Sequence, residues 1–434
     1  MGADVTSTLP STTTSSVSRV RAAVVVALTV VLIMINWADK SALGLVSVPI
    51  MDELHISAQD FGFLGSAYFF TYSASAVLFG WIATRVRVNR IILVVSALWA
   101  LCMLPVALAP GFAVLMLSRI GLGFTEAPAT PLGNFIVQSW FPDERRTVPA
   151  TLVMIGSPLG VLLAGPGLTF VMVRTGWRAV FVVLAVIGLA WCCVWAFAGK
   201  EGGYSGRTAA APASHWRHAG AGFWKLLSNR SWLLCTIVAF AAYWTTTLST
   251  TWLAAFFTKS LGFSKKTATG WLLTVSPGVA IVVMLGWSAL SALLLRRGVA
   301  TRWSRGFLIG ATSVAGGALV TAGSVIHAPG TVVVLVAVGA ALANPIFPLG
   351  FVLAAEVAPA SFRALSVSLF AALATLAGIV APAVTGALVT AQGNTGYHVA
   401  FLVAGLVSLV AGILAATGID PARDSRRAAE AGAS

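Results

Sequence analysis

Charge is what this chain has least of. Asp, Glu, Lys and Arg together make up 9% of its 434 residues, where soluble globular domains carry roughly a quarter, and the shortfall excludes an ordinary water-soluble protein. Acids are scarcer than bases, 13 against 27, which leaves a net charge of +14. Cysteine is rare too. Cys102, Cys192, Cys193 and Cys235 all fall in apolar runs, away from any metal-ligand spacing with histidine, so they read as packing residues and no metal site is expected. The chain also lacks a nucleotide-binding glycine loop, a Ser/His/Asp arrangement and a soluble signalling domain. An enzyme is therefore not expected and no cofactor is expected; a membrane-embedded enzyme or a non-transporting sensor is the remote alternative.

Apolar residues fill the space that charge vacates, at 58% of the chain and a mean hydropathy of +0.92. A spanning helix needs about 20 apolar residues, and by that rule the sequence predicts an all-α membrane protein with twelve transmembrane helices in two six-helix bundles. The first six spans fall near 22–47, 61–83, 90–109, 112–138, 149–173 and 178–198, and the second six near 231–257, 269–294, 304–326, 331–355, 364–390 and 397–418. The expected divisions are a tail at 1–21, a bundle at 22–198, a linker at 199–230, a second bundle at 231–418 and a tail at 419–434. The first apolar run is too long for a signal-peptide core and is expected to stay as a helix. With both termini in the cytoplasm, 20 of the 27 bases fall on the cytoplasmic side, five on the other and two, Lys40 and Arg119, within the membrane. That bias is the positive-inside pattern. It absorbs most of the net charge, so lipid is the expected surrounding and nucleic acid is not an expected partner.

The two halves echo each other weakly. Trp140-Phe141-Pro142-Asp143-Glu144-Arg145-Arg146 follows the fourth span, and Glu356-Val357-Ala358-Pro359-Ala360-Ser361-Phe362-Arg363 follows the tenth. The basic turn Arg85-Val86-Arg87-Val88-Asn89-Arg90 is answered by Arg296-Arg297-Gly298 through Arg302. Parallel repeats of this kind suit a carrier whose site lies between the halves.

Full charges inside the membrane occur in two segments, Asp39-Lys40 on the first span and Arg119 with Glu126, two turns apart, on the fourth. Each costs at least about 2.5 to 3.5 kcal/mol to insert, so the two segments are read as one site. Asp39 and Glu126 are the candidate proton carriers, because a carboxyl alternately shielded from water and exposed to a base alternates between protonation states. Lys40 and Arg119 are the candidate anion contacts. The four charges sum to zero, however, and a purely structural ion-pair network stays open. Neighbours on a helix do not face each other, so Asp39 and Lys40 are expected to find partners on other helices. Asn36, Tyr68, Tyr72, Asn134, Tyr243, Trp244, Thr246, Thr247 and Asn344 could shape a pocket, with Tyr72 and Tyr243 favoured beside Asn36. Arg85, Arg87, Arg145, Glu356 and Arg363 read as gate residues, Glu356 pairing with Arg363. His327 and His398 read as solvated.

These residues resemble the major facilitator superfamily and, within it, the anion:cation symporters that carry hexonates, hexuronates and sialic acid. The resemblance rests on Asn36-Trp37-Ala38-Asp39-Lys40, on Pro49-Ile50-Met51-Asp52-Glu53-Leu54 with Ser57-x-x-Asp60-Phe61-Gly62 and Ser66-Ala67-Tyr68-Phe69, and on Arg119-x-Gly121-Leu122-Gly123-x-x-Glu126-Ala127-Pro128. Trp140-Phe141-Pro142-x-x-Glu144-Arg145 and Gly176-Trp177-Arg178 continue it. It covers about residues 33 to 200 well and the second half mainly in hydropathy. Two departures stand out: Lys40 replaces the usual Arg, giving a point charge in place of a bidentate fork, and Thr84 replaces the acid of the second-helix loop signature. The resemblance implies the major facilitator fold, a monomer in the plasma membrane, and proton coupling through Asp39 and Glu126. The expected function is proton-coupled import of a small organic anion such as a sugar acid, an aromatic acid or a dicarboxylic acid. Gly156, Gly160 and Gly165-Pro166 in the fifth span keep a drug or metabolite exporter as the alternative.

Overall fold

The structure is a computed structural model, and it describes residues 16–83, 85–108, 111–142, 147–203, 228–263, 268–358 and 363–424. Among the described residues all regular structure is helical. The first half comprises α1 (Ser16–Leu45), α2 (Ser47–Leu54), α3 (Ala58–Ile82), α4 (Val88–Ala107), α5 (Phe112–Glu126), α6 (Ala129–Gln138), α7 (Thr147–Thr175) and α8 (Trp177–Ala198). The second comprises α9 (Arg230–Ala255), prolonged by a π turn at Phe256–Ser260, α10 (Ala268–Arg296), a π turn at Arg302–Phe307 running into α11 (Leu308–Val325), α12 (Pro329–Leu342), α13 (Ile346–Glu356), α14 (Arg363–Thr375), α15 (Ala377–Gln392) and α16 (Asn394–Gly418). Ten described runs are long and apolar enough to cross a membrane. The 25-residue α3 and the broken pair α5–α6 take the second and fourth places of the first set. Of the expected linker and tails, residues 204–227, 1–15 and 425–434 lie outside the described residues. The acidic stretch Pro49–Leu54, which lies between the first two expected spans, is the greater part of the short helix α2.

The outside of this bundle is as apolar as its inside. Trp99, Trp195, Trp232 and Trp252 are fully buried, while Leu117, Phe170, Phe197 and Val282 are exposed, which is stable only where lipid meets the outer faces. Packing within the halves repeats. The pairs α1–α7, α3–α5 and α4–α8 in the first are matched by α9–α15, α10–α12 and α11–α16 in the second. Even the turns correspond: α7 passes to α8 through Gly176 at φ 91°, and α15 to α16 through Gly393 at φ 60°, a backbone region that favours glycine.

The halves meet along α1–α9, α3–α15 and α7–α10. At one end they are shut. Phe61 packs edge-on against Trp252 at 5.1 Å, the Gln59 amide donates to Thr390 Oγ1 at 3.0 Å, and Ser66 Oγ donates to the Ile379 carbonyl at 2.6 Å. Gly44 on α1 lies so close to α9 that a Cβ there would stand 1.9 Å from the Thr250 carbonyl oxygen. Gly44→Val is therefore expected to splay this end. In a protein without its native cysteines, a cysteine at the buried Phe61 position should react with an impermeant thiol reagent in the Gly44→Val background and stay protected otherwise; equal protection in both would contradict the contact.

The short helix α2 ties this end together by sending its two acids opposite ways. Asp52 pairs with Lys259 of the second half at 2.9 Å. Glu53 turns back to its own half, where the Trp177 indole donates to it at 2.6 Å and Arg178 pairs with it. The Trp177 hydrogen bond, then the Arg178 one, hold the Glu53 carboxyl below its usual value. The stability they give is present above the unfolded carboxyl's range and is lost as pH falls through the lowered value. The Asp52–Lys259 pair is partly exposed, so its removal should shift opening by at most about 1 kcal/mol, roughly fivefold in population. Lys259→Asp is expected to raise thiol reactivity at position 61 by that factor, and Asp52→Lys added to it to restore protection. If the double variant stays as reactive as the single, the pair is not a latch.

Candidate functional site

Two prolines break the fourth helix of each half at corresponding places. The first break, at Ala127-Pro128, separates α5 from α6; the second, at Ala343-Asn344-Pro345, separates α12 from α13. Proline has no N–H to give the preceding turn and crowds its carbonyls. Interrupted helices at matched positions of repeated halves point to a binding site. Glu126 is the last residue of α5 before the first break. Asn344 sits in the second, where its Nδ2 donates to the Ala340 and Ala341 carbonyls at 3.1 and 3.2 Å. The Ala341 carbonyl is the acceptor that a residue with an N–H at position 345 would have used.

Glu126 is the hub of a buried cluster. Its Oε2 accepts from Asn36 Nδ2 at 3.0 Å and from the Tyr68 hydroxyl at 2.6 Å, and Lys40 Nζ lies 3.7 Å away. Lys40 in turn donates to Asn36 Oδ1. The amide of Asn36 is thus oriented by both neighbours, N–H towards the carboxylate and carbonyl towards the ammonium. Lys40 Nζ also stands 5.0 Å from the Trp37 ring centroid and 5.2 Å from that of Tyr72, close enough for the ring faces to attract it. Breaking such a buried pair by removing one partner costs about 3 to 5 kcal/mol.

Asp39, next to Lys40 on α1, points elsewhere. One oxygen accepts from the Trp99 indole of α4, and the other is buried with no hydrogen-bond partner. Arg119 is buried on α5 with its guanidinium 5.5 Å from the Phe181 ring centroid of α8, and its Nε and Nη2 have no hydrogen-bond partner. The four charges read from sequence as one site lie within electrostatic reach of one another, Arg119 facing both Glu126 and Asp39, while their direct contacts differ: Lys40 meets Glu126 and Asn36, and Asp39 meets Trp99. Of the two adjacent residues on α1, Asp39 has its partner on another helix, as the spacing predicts. Lys40 reaches Glu126 on α5 but also Asn36 one turn back on its own helix, which the sequence reading did not anticipate.

Between the halves lies a cavity of about 2200 Å³. Trp37 and Tyr72 line it beside Lys40, Asn134 lines it from α6, and Tyr243, Thr246, Ser249 and Asn344 line the facing wall. Tyr243 is held edge-on by Phe69 of α3 at 5.8 Å and by Phe347 of α13 at 6.0 Å. Among the described residues lining the cavity only Arg85 and Arg305 are charged. Arg85 lies in the α3–α4 turn, and Arg305 pairs with Glu356 at the end of α13, so the mouth is at the end opposite the α2 closure. Glu356 has Arg305, the fourth residue of the π turn before α11, as an ion-pair partner, and the pairing with Arg363 read from sequence falls on a side chain outside the described residues. Arg87 is exposed at the start of α4. Arg363 opens α14, but its side chain, like Arg145 and Thr84, lies outside the described residues.

Two other expectations change. His327 is exposed as predicted, but His398 is half-buried, its ring 3.0 Å from both Ser260 Oγ and the Ser324 carbonyl and edge-on to Phe256. Gly160 of the fifth span packs on the Met34 carbonyl, with room for no Cβ, so this glycine is accounted for by contact with α1. Of the direct partners of the two buried acids, Tyr68 is among the side chains read from sequence as able to shape a pocket, whereas Trp99 was not singled out. Tyr68 stands in the Ser66-Ala67-Tyr68-Phe69 motif and lies one turn from Tyr72; Trp99 carries no polar neighbour in sequence that could have marked it.

Two repeated bundles, a closed end, an open end and a charged cluster at the broken helices define a membrane carrier fold. Residues 29–346 match the model of the Major Facilitator Superfamily, and the chain belongs to that family. The hexuronate transporter of Bacillus subtilis is 33% identical over 161 residues, 37% of this chain and 38% of that protein. The D-galactonate transporter of Escherichia coli is 27% identical over 299 residues, 63% of this chain and 67% of that protein. The probable sulfoacetate transporter SauU of Cupriavidus necator is 26% identical over 267 residues, 57% of this chain and 60% of that protein. The matched stretches thus span less than two thirds of the hexuronate and sulfoacetate relatives. Among solved structures, a bacterial homolog of the human lysosomal transporter Spinster, inward-facing and unoccupied, has TM-score 0.66 at 18% identity, covering 94% of this chain and 97% of that one. A D-xylose-proton symporter has TM-score 0.70 at 16% identity, covering 92% and 98%.

Proposed function

We propose that this protein is a transporter of the plasma membrane, not an enzyme, and that it imports a small organic anion together with protons by alternating access. The observation that carries the reading is the Asn36–Lys40–Tyr68–Glu126 cluster, a buried ion pair beside a cavity that is closed at one end and open at the other. The positive-inside bias assigns the open, arginine-bearing end to the cytoplasm together with both termini, so the conformation is inward-open. The chain acts as a monomer, surrounded by lipid.

The mechanism is linkage between two binding events. While Glu126 is ionised it occupies Lys40. A proton delivered to Glu126 removes that competitor, and the ammonium is free to receive a carboxylate in front of Trp37 and Tyr72. Proton and anion then bind cooperatively, each raising the other's affinity by the same factor. Asn36 relays the change by its contacts with both groups, and Tyr243 bounds the substrate from the facing wall. Asp39 serves as a second proton carrier oriented by Trp99, and Arg119 faces both Glu126 and Asp39, as the second base of the anion site. Arg85, Arg87, Arg145, Glu356 and Arg363 belong to the cytoplasmic gate, with Arg305 the partner of Glu356. The names of the hexuronate and galactonate relatives agree with an organic-anion substrate. The exporter reading rested on the fifth-span glycines, and close packing of Gly160 against α1 leaves it without that support.

Proton movement tests the reading directly. In proteoliposomes holding a pH-sensitive dye, external addition of a membrane-impermeant organic acid anion should acidify the lumen, and protein-free vesicles should stay silent. A lumen that stays silent to every acid, with expulsion of a lipophilic drug under a reversed gradient, would sink the importer reading and leave the exporter.

A further inference from the structure

We propose that Phe69 is the occluding residue of this carrier: seated in a notch at Gly378, its ring shuts the outer path directly above the cavity and ties that closure to the Lys40–Glu126 cluster. The inference rests on the import reading above, which says which end is the outer one.

The seam between α3 and α15 closes in layers. Nearest the shut end, the Gln59 amide meets Thr390. Next, a Cβ on Gly62 would stand 2.5 Å from the Pro382 carbonyl oxygen, and then Ser66 Oγ donates to the Ile379 carbonyl at 2.6 Å. Phe69, one turn further in along α3, faces Gly378. One turn beyond it Ser73 Oγ stands 3.5 Å from Thr375 Oγ1. Ser73 and Thr375 line the cavity, and Phe69 and Gly378 do not. Their layer is therefore the first shut one above the cavity on this seam.

The fit of that layer is specific. A Cβ at position 378 would stand 2.5 Å from Cγ and Cδ1 of the Phe69 ring and 2.9 Å from Cδ2, so a glycine is needed there to admit the ring where it lies. The notch falls two residues past Leu376, where α14 passes into α15. Phe69 is 7% exposed, whereas its neighbour Phe70 is 65% exposed. The first is committed to the seam and the second is not.

The same ring touches the groups that hold the charges. On its own helix it meets Tyr68 edge-on at 4.9 Å and Tyr72 at 6.3 Å. Tyr68 donates to Glu126, and Tyr72 presents its ring to Lys40. Across the seam Phe69 meets Tyr243 edge-on at 5.8 Å, which lines the cavity from α9. Edge-on contacts hold aromatic rings at defined angles. An outward opening of this seam has to draw Phe69 out of its notch, and doing so disturbs the donor to the proton site and the ring in front of the ammonium together. Phe69 is thus a positioning residue that acts on Glu126 and Lys40 through two tyrosines.

The test reads closure and coupling separately. In a chain whose four native cysteines are replaced, Ser73→Cys is labelled from outside intact cells with an impermeant thiol reagent. Labelling should be slow while Phe69 and Gly378 are in place. Phe69→Ala should speed it at least about tenfold, a fraction of what the loss of a buried phenyl ring costs. Gly378→Ala, which expels the ring, should do the same. Phe69→Ala with Gly378→Leu refills the notch from the other helix and should restore protection. Coupling is read on the purified full-length protein. Binding of a panel of acids that includes gluconate, followed by intrinsic tryptophan fluorescence, should stay within about threefold of wild type in Phe69→Ala, because Lys40 and Glu126 are untouched, while accumulation driven by a proton gradient should fall at least about tenfold. A merely structural role would lower both together. Protection of Ser73→Cys in both single variants, or a joint loss of binding and accumulation that the double variant does not recover, overturns the occlusion and leaves import standing. Fast labelling with Phe69 and Gly378 both intact overturns the sidedness, and the inference with it. If wild type binds no acid, the anion reading fails on its own while labelling still decides the closure.

Discussion

Glu126→Gln is expected to uncouple the carrier while leaving its anion site intact. The amide keeps the size of the carboxyl and an acceptor for Tyr68, but it cannot ionise, so it holds the site in the state that the protonated acid would give. Lys40, 3.7 Å from the carboxylate in the native cluster, is then always available. The variant should bind its anion at alkaline pH as tightly as wild type does at acid pH, and should exchange labelled for unlabelled substrate across the vesicle membrane. What it loses is work. An inward gradient of about two pH units sustains about a hundredfold accumulation for each coupled proton, and Glu126→Gln should do no more than equilibrate by whatever share of the gradient passes through this residue. Accumulation equal to wild type would show that Glu126 carries no proton and serves only to neutralise Lys40.

Lys40→Met has the largest expected effect on binding. The side chain is 5% exposed, and removing its charge leaves the Glu126 carboxylate buried with hydrogen bonds from Asn36 and Tyr68 but no cation at ion-pair distance. A penalty of about 3 to 5 kcal/mol follows from breaking such a pair, together with loss of the group that receives the substrate. Anion affinity should fall by at least about a hundredfold. Stability should be recovered in Lys40→Met combined with Glu126→Gln, because neither partner is then charged, but affinity should not. Lys40→Arg should keep binding and alter selectivity, since a planar fork replaces a point charge. Binding by Lys40→Met within twofold of wild type would assign the anion contact elsewhere, with Arg119 the first candidate.

Much of this architecture was legible in the residues because membrane insertion leaves few solutions. Every backbone group must be paired within the span, so hydropathy alone marks the helices, and the scarcity of charge makes Asp39, Lys40, Arg119 and Glu126 conspicuous. Three things were not legible. The donor to Asp39 is Trp99, whose sequence neighbourhood looks like ordinary apolar helix, and Tyr68, marked in sequence only as a pocket-shaping side chain, donates directly to Glu126. Which direct contacts the adjacent charges of α1 make, Lys40 to Glu126 and Asn36 but Asp39 to Trp99, depends on how α1 rotates against α4 and α5, an angle that periodicity does not determine. The breaks at Pro128 and Pro345 fall inside runs that hydropathy reads as continuous, and only the matched positions of the two prolines in the folded halves give them meaning. The same holds for the pairing of Glu356 with Arg305, which joins residues 51 apart in the chain.

The central claim is that movement of protons down their gradient drives an organic anion up its own. The direct measurement is uptake of labelled gluconate, or of another acid that the binding assay selects, into proteoliposomes of the purified protein, with and without an inward proton gradient, beside Asp39→Asn and Glu126→Gln. Accumulation above the external concentration that requires the gradient in wild type and is lost in both variants is the predicted result. Accumulation that ignores the gradient, or that both variants retain, would contradict it.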